Sequence, residues 1–124
     1  MAKITPIDSE RCSVAIARDG KMSVMEHRPG PPVRADGWTF GIADMRRNAP
    51  HGGERHPDGD ELIYIISGRV EIRSDSIPNE TCQLGPGSLC IIPQGEWHHV
   101  HLLEPTRMIH LTPGPHGEHR PALD

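Results

Sequence analysis

Aromatic side chains are scarce in this chain: one Phe, one Tyr and two Trp among 124 residues. A hydrophobic core must therefore be built from aliphatic side chains, and these come only in short runs. The longest, Leu62 to Ile66 in "ELIYIIS", is far below the roughly 20 apolar residues that a membrane-spanning helix needs. Positive charge is not in excess either. Thirteen Lys and Arg against 17 Asp and Glu leave a net charge of −4, which excludes the basic face of a nucleic-acid-binding domain; the adjacent Arg46 and Arg47 stand alone. The first residues, "MAKITPIDSERC", contain no apolar stretch of the secretory kind. Three cysteines, Cys12, Cys82 and Cys90, without a C-x-x-C spacing, exclude a disulfide scaffold and a cysteine-rich zinc site. They fit a cytoplasmic, reducing location. Cys90 in "SLCIIP" reads as a small buried hydrophobe. No segment of ten or more residues repeats apolar side chains at i, i+3 and i+4, so amphipathic helices are not expected.

Turn residues are abundant. Thirteen Gly and thirteen Pro divide the chain into the short runs "CSVAIA", "MSVMEH", "WTFGIADMR", "ELIYIIS", "RVEIRS", "SLCIIP", "HHVHLL" and "TRMIHLT". Many short strands between turn signals predict an all-β sandwich or barrel. The length suits one domain over residues 1–124 with one core. Residues 113–124, "PGPHGEHRPALD", are expected to form an irregular, loosely packed tail.

Alternation along the strands sorts the side chains. Glu61, Ile63 and Ile65 fall on one face, and Leu62, Tyr64 and Ile66 on the other. Both faces are apolar beyond Glu61, so both are expected to be covered. His98, Val100 and Leu102 share a face, with His99 and His101 opposite. Glu54 and His56 share a face if their segment is extended. Trp38, Phe40 and Ile42 have a parity expected to bury them, with Asp44 and Arg46 continuing that face toward a pocket as substrate-contact candidates. His110 is a candidate acid–base or substrate-binding group if it faces inward. His27, His116 and His119 read as surface or tail residues, and Trp97 as a packing or pocket-rim aromatic.

The segment "PHGGERHPDGDELIYIISG" crowds Glu54, His56 and Glu61 against a buried strand. Carboxylates and imidazoles are costly to bury unless something pairs with them, and a divalent cation does so. With His98 they form a set of nitrogen and oxygen donors without thiolate, which suits Fe(II), Mn(II), Ni(II) or Zn(II). Two His and one carboxylate can hold one face of an octahedron and leave positions open for substrate.

These residues carry a resemblance. "ERHPDGDELIYIISG" resembles the first motif of the cupin superfamily, G-x5-H-x-H-x3–4-E-x6-G, and "GSLCIIPQGEWHHVH" resembles the second, G-x5-P-x-G-x2-H-x3-N. In the first (residues 48–68), His56, Glu61 and Gly68 match. In the second (residues 87–102), Gly87, Pro93, Gly95 and His98 match. The departures are Asn48 for the leading glycine, Glu54 for the first histidine and Leu102 for the closing asparagine. The resemblance implies a double-stranded β-helix, or jelly roll, with a metal near one end of the barrel, held by His56, Glu61 and His98. Glu54 then either ligates the metal or acts beside it, orienting His56 or binding substrate, and His51 could join if the loop "PHGGE" bends. The resemblance further implies a homodimer that covers Leu62, Tyr64 and Ile66 and a small-molecule substrate, while the charge and the short apolar runs give no expectation of nucleic-acid or membrane partners. Fe(II) dioxygenase chemistry leads, with Glu54 or His110 moving protons. A non-redox lyase, isomerase or epimerase with Glu54 as base is the alternative enzyme. A non-catalytic small-ligand-binding module is the alternative of another class.

Overall fold

The computed structural model describes residues 3–122, and these form eleven strands and no helix. They are β1 (Cys12–Ala17), β2 (Met22–Glu26), β3 (Gly37–Met45), β4 (His51–Arg55), β5 (Glu61–Ser67), β6 (Val70–Ser74), β7 (Thr81–Leu84), β8 (Leu89–Ile92), β9 (His98–Leu102), β10 (Thr106–Gly114) and β11 (Glu118–Pro121). A six-stranded sheet runs in the order β2-β1-β3-β10-β5-β8, and a five-stranded sheet in the order β11-β4-β9-β6-β7. Every pairing is antiparallel. The two sheets face each other as a jelly roll, the all-β class that the turn-punctuated sequence predicts. Among the described residues no helix is long and apolar enough to cross a membrane.

The inner faces meet in an aliphatic core of Ile63, Ile65, Val70, Ile72, Leu84, Ile92 and Met108, all buried. The alternation read from β5 holds: Glu61, Ile63 and Ile65 point inward at 4 %, 3 % and 0 % exposure. Cys90 packs against this core, and all three cysteines are free.

Strand β3 reverses the expected parity. Its buried positions are Gly37, Thr39 and Gly41, whereas Phe40 is 37 % exposed and Trp38 and Ile42 are only half-buried. The inner side of β3 must stay small because β10 packs beside it. A Cβ on Gly41 would sit 2.6 Å from His110 Nε2. Asp44 continues the outer face, where it pairs with Arg107 at 3.8 Å, and Arg46 is exposed. Asp44 nevertheless borders the cavity that Glu54 and Glu61 also line, whereas Arg46 does not.

The outer face of the six-stranded sheet is apolar along its registers. Val24, Val14, Phe40, Leu111, Leu62 and Ile91 are successive cross-strand partners from one edge to the other. Ile42, Ile109, Tyr64 and Leu89 form the next row.

The C-terminal residues are more ordered than expected. Pro113 and Gly114 extend β10, and Glu118–Pro121 form β11 on the free edge of β4. Side chains anchor this segment. His116 is bound to Asp58 through its backbone N and Nδ1, at 2.6 and 2.7 Å, and Glu118 pairs with Arg55. Arg120 pairs with Asp75 and stacks over Trp97, 4.6 Å from the ring centroid. The prolines and polar residues that read as irregular therefore make an edge strand fastened by ion pairs. Only residues 123 and 124 of the expected tail lie outside the described residues.

Gly68 shows how tightly the turn after β5 is built. Its φ is +92°, and an added Cβ would collide with Pro105 O and Thr106. Gly68→Ala combines a disfavoured backbone with overpacking and is expected to cost about 2 to 4 kcal/mol, measured by urea unfolding. A loss below about 0.5 kcal/mol would contradict this packing.

Candidate metal centre

Glu54 lies in β4, directly opposite His98 at the head of β9. His56 follows β4 by one residue, and Glu61 opens β5 on the facing sheet. The turn "PQG" joins the two motifs. Gly95 N donates to His56 O at 2.9 Å, Gln94 N to Asp60 Oδ1 at 2.8 Å, and the Gln94 side chain to Pro57 O at 2.6 Å. These bonds dock the turn before β9 onto the loop "HPDGD" and bring His98 beside His56.

The four side chains each offer one donor atom, and all four atoms lie within 4.8 Å of one another. His98 Nε2 is 3.3 Å from Glu61 Oε1 and 3.4 Å from Glu54 Oε1. His56 Nε2 is 3.5 Å from Glu61 Oε2 and 3.7 Å from Glu54 Oε1. A divalent ion bound at about 2.0–2.2 Å sets neighbouring donors about 3 to 3.5 Å apart, close to these separations. Burial is nearly complete, with His98 at 1 % and His56 and Glu61 at 4 % exposure. Yet both ring nitrogens of His56, Glu61 Oε1 and His98 Nε2 have no hydrogen-bond partner. Each such orphan costs about 1–3 kcal/mol, and they are gathered in one place. A cation taking one lone pair each from His56 Nε2, Glu61 Oε1 and His98 Nε2 removes the cost at those three atoms, so the residues present fit a divalent metal.

The surroundings prepare the donors. His98 Nδ1 donates to Glu96 O at 3.0 Å, which leaves Nε2 to face the site, the usual orienting contact of a ligating histidine. Burial disfavours charge on His98, but Glu54 and Glu61 outweigh it and push its pKa up to about 10. Burial likewise works against the Glu54 carboxylate, and His56 and His98 outweigh it, holding Glu54 well below the usual carboxylate range. A cation entering here displaces a proton.

Glu61 is held from behind. Thr112 Oγ1 donates to Glu61 Oε2 at 2.7 Å, and Thr112 Oγ1 lies 2.8 Å from His110 Nδ1. Thr112 has a single hydroxyl proton and gives it to Glu61, so His110 Nδ1–H must be the donor to Thr112. His110 is thus the Nδ1-protonated neutral ring, and burial lowers its pKa to about 4. It faces inward, as one sequence reading allowed, but reaches the metal site through Thr112. The sequence offered no reason to single out Thr112, a buried hydroxyl in an apolar strand.

Two further histidines join the group. His119 Nε2 is 3.3 Å and His51 Nε2 is 3.9 Å from Glu54 Oε2. His51 does come to Glu54, as a bent "PHGGE" loop would allow. His119 is exposed, as expected, and also pairs across β11–β4 with Glu54 itself. Its partner lies 65 residues earlier in the chain, so no local pattern could mark it. His99 and His101 lie on the opposite side of β9 from His98, half-buried, and pair across to Arg73 and Glu71. His27 binds Ser13 Oγ at 2.8 Å in the exposed N-terminal region. Trp97 is half-buried between Arg55 and Arg120.

The site opens into a cavity of about 1880 Å³ lined by Glu54, Glu61, Ile63, Met108 and His110 and, on its outer side, by Arg34 and neighbouring residues of the segment between β2 and β3.

No curated protein matches the chain by sequence. Among solved structures, a cupin-2 domain containing protein from Shewanella frigidimarina is similar, at 18 % identity and a TM-score of 0.55, over 73 % of this chain and 85 % of that one. Oxalate decarboxylase of Bacillus subtilis, described with Mn(II) centres, is 16 % identical with a TM-score of 0.57. Salicylate 1,2-dioxygenase of Pseudoaminobacter salicylatoxidans is 10 % identical with a TM-score of 0.56. This chain is covered to 68 % and 69 % in those two comparisons but spans only 24 % and 25 % of those enzymes. At such identities the likeness shows the fold. The family model described as "Cupin domain" (Cupin_2) matches residues 43–112, more than half of the chain and all four candidate ligands, and the chain belongs to that cupin family.

Proposed function

We propose that this cupin is a metal-dependent enzyme acting on a small anionic molecule, with the ion held by His56, Glu61, His98 and Glu54. The observation that carries the proposal is the cluster of buried donors without partners at metal-ligand spacing. Bound there, Fe(II) supplies the redox reactivity and open positions of an oxygenase, the reading favoured by a His–Glu–His set, whereas Mn(II), Ni(II) or Zn(II) supplies Lewis acidity. Within the chain, Ile63 and Met108 make an apolar wall that excludes water, and Thr112 with His110 fixes the orientation of Glu61. Arg34, half-buried at the cavity and without an ion pair among the described residues, supplies a cation for a substrate carboxylate. The non-redox alternative, a lyase, isomerase or epimerase, is favoured by one observation. Glu54 is the most exposed of the four, at 20 % for its side chain, and it borders the cavity, where a base would meet substrate.

Metal analysis with an activity screen tests the proposal. Protein purified without added metal should retain a divalent ion, and His56→Ala and His98→Ala should each lose it. With Fe(II) restored, oxygen uptake should appear with some member of a panel of small carboxylic acids. Failure to bind any divalent metal at micromolar concentration overturns the enzyme reading. Bound zinc or nickel without oxygen uptake moves the assignment to non-redox chemistry.

His110 is here a positioning residue, and its titration is measurable. Its folded pKa of about 4 lies below the unfolded value of about 6.5, so the unfolded state takes up the proton first. The cost is absent above pH 6.5 and grows as pH falls to 4, reaching about 2 to 3 kcal/mol. Chemical denaturation should show His110→Asn losing less stability than the unaltered chain over that interval. Parallel curves would refute a buried neutral His110.

The outer face of the six-stranded sheet is proposed to pair with a second copy of the chain. Its two apolar rows contain no charge, so a two-fold copy brings no like charges into direct contact along them, although each chain carries −4. Phe40, Leu89 and Ile91, at 37 %, 55 % and 66 % exposure, would be covered. Light scattering at micromolar concentration should give twice the chain mass, with Phe40→Glu dissociating the pair. A monomeric mass for the unaltered chain would overturn it.

A further inference from the structure

We propose that Glu54 bridges two cation positions, the buried one already described and an outer one completed by His51 and His119. This rests on the metal reading of the inner site. The two oxygens of Glu54 face different partners. Oε1 lies 3.4 and 3.7 Å from the Nε2 atoms of His98 and His56. Oε2 lies 3.3 and 3.9 Å from the Nε2 atoms of His119 and His51. His51, Glu54 and His119 each offer a donor, and the three donors lie within 4.8 Å of one another. Two imidazoles and a carboxylate oxygen are a ligand set for a divalent transition metal.

The backbone is shaped to make this outer group. Along β4–β11, Glu54 pairs with His119, Gly53 with Arg120, and His51 with Pro121, so Gly52 is left without a partner as a β-bulge. Without the bulge, alternation would send His51 to the face opposite Glu54; the extra residue turns it back. Glycine is needed at both neighbouring positions. A Cβ at residue 52 would lie 2.5 Å from Pro121 O, and one at residue 53 would lie 2.7 Å from Arg120 Nη2, at a φ of +148°. These two glycines let β11 approach closely enough to place His119 over Glu54.

The same geometry accounts for the carboxylate at residue 54, where the family pattern has a histidine. A neutral imidazole has one lone pair for a metal, whereas a carboxylate has two oxygens and can serve a cation on either side. The outer position is the weaker one. His119 is 45 % exposed at its side chain. Gly53 N also donates to His51 Nδ1 at 3.2 Å, so ligation through Nε2 moves the ring proton to Nδ1 and breaks that bond. The inner ion is thus retained and the outer ion exchangeable.

Untagged apoprotein equilibrated with Mn(II) tests this by metal-to-protein ratio and electron paramagnetic resonance. The expected result is two ions per chain, the second binding at least tenfold more weakly, with a spin-coupled signal when both are present. His119→Ala and His51→Ala should each reduce the ratio to one and abolish the coupling, and the ion they retain certifies the fold. One ion per chain at millimolar Mn(II) overturns the bridge and leaves the inner site standing. Two uncoupled ions, insensitive to both substitutions, also overturn it by placing the second ion elsewhere. No bound ion defeats this inference and the inner site together.

Discussion

The constraint on which this structure turns is the burial of two imidazoles and a carboxylate that do not satisfy one another. His56, Glu61 and His98 are as buried as the aliphatic core, yet four of their polar atoms lack partners. A fold that only needed stability would replace them with apolar groups at little cost. Their retention requires strands from both sheets to converge, since β5 brings Glu61 and β9 brings His98. The loop bonds of Gln94 and Gly95 lock that convergence. The barrel then acts as the rigid body against which donor positions are set.

Small residues on the inner wall follow from the same demand. His110 and Thr112 occupy the inner face of β10 to hold Glu61, so β3 opposite them carries Gly41 and Thr39 rather than bulky side chains. The apolar bulk of β3 is displaced outward, where Phe40 and Ile42 join the apolar outer rows. Site and outer face are thus two consequences of one packing choice. Room made for a polar relay inside is matched by apolar surface outside.

This coupling also explains what the sequence disclosed. The core strand β5 was legible to the residue because both its faces are apolar and its inward set begins with Glu61. The ligand set was legible because two spaced motifs enclose it. β4, β7 and β11 were not legible as strands. "HGGER" has two glycines and no aliphatic side chain, "TCQL" is a four-residue edge strand too short for its alternation to stand out, and "EHRP" is a short edge strand without apolar side chains other than proline. Their pairing is decided by tertiary contacts, such as Arg55 with Glu118 and Arg120 with Asp75. The parity of β3 misled for a related reason. Bulky apolar side chains mark a buried face only when nothing else competes for the interior, and here His110 does.

The departures from the family pattern are compensated in space. Asn48 stands where the pattern has glycine, and Leu102 where it has asparagine. Asn48 Oδ1 accepts from Leu102 N at 2.8 Å, and Asn48 Nδ2 lies 3.0 Å from His101 Nδ1. The amide missing from the end of the second motif is thus supplied from the start of the first. It satisfies a backbone donor at the end of β9 that would otherwise cost about 1 kcal/mol or more. Glu54 is the departure with no such exchange. The carboxylate there gathers His51 and His119 around its outer oxygen while its inner oxygen faces His56 and His98. The first two changes re-fasten a strand, whereas the third changes the number of donors at the centre, and so it is the one that bears on chemistry.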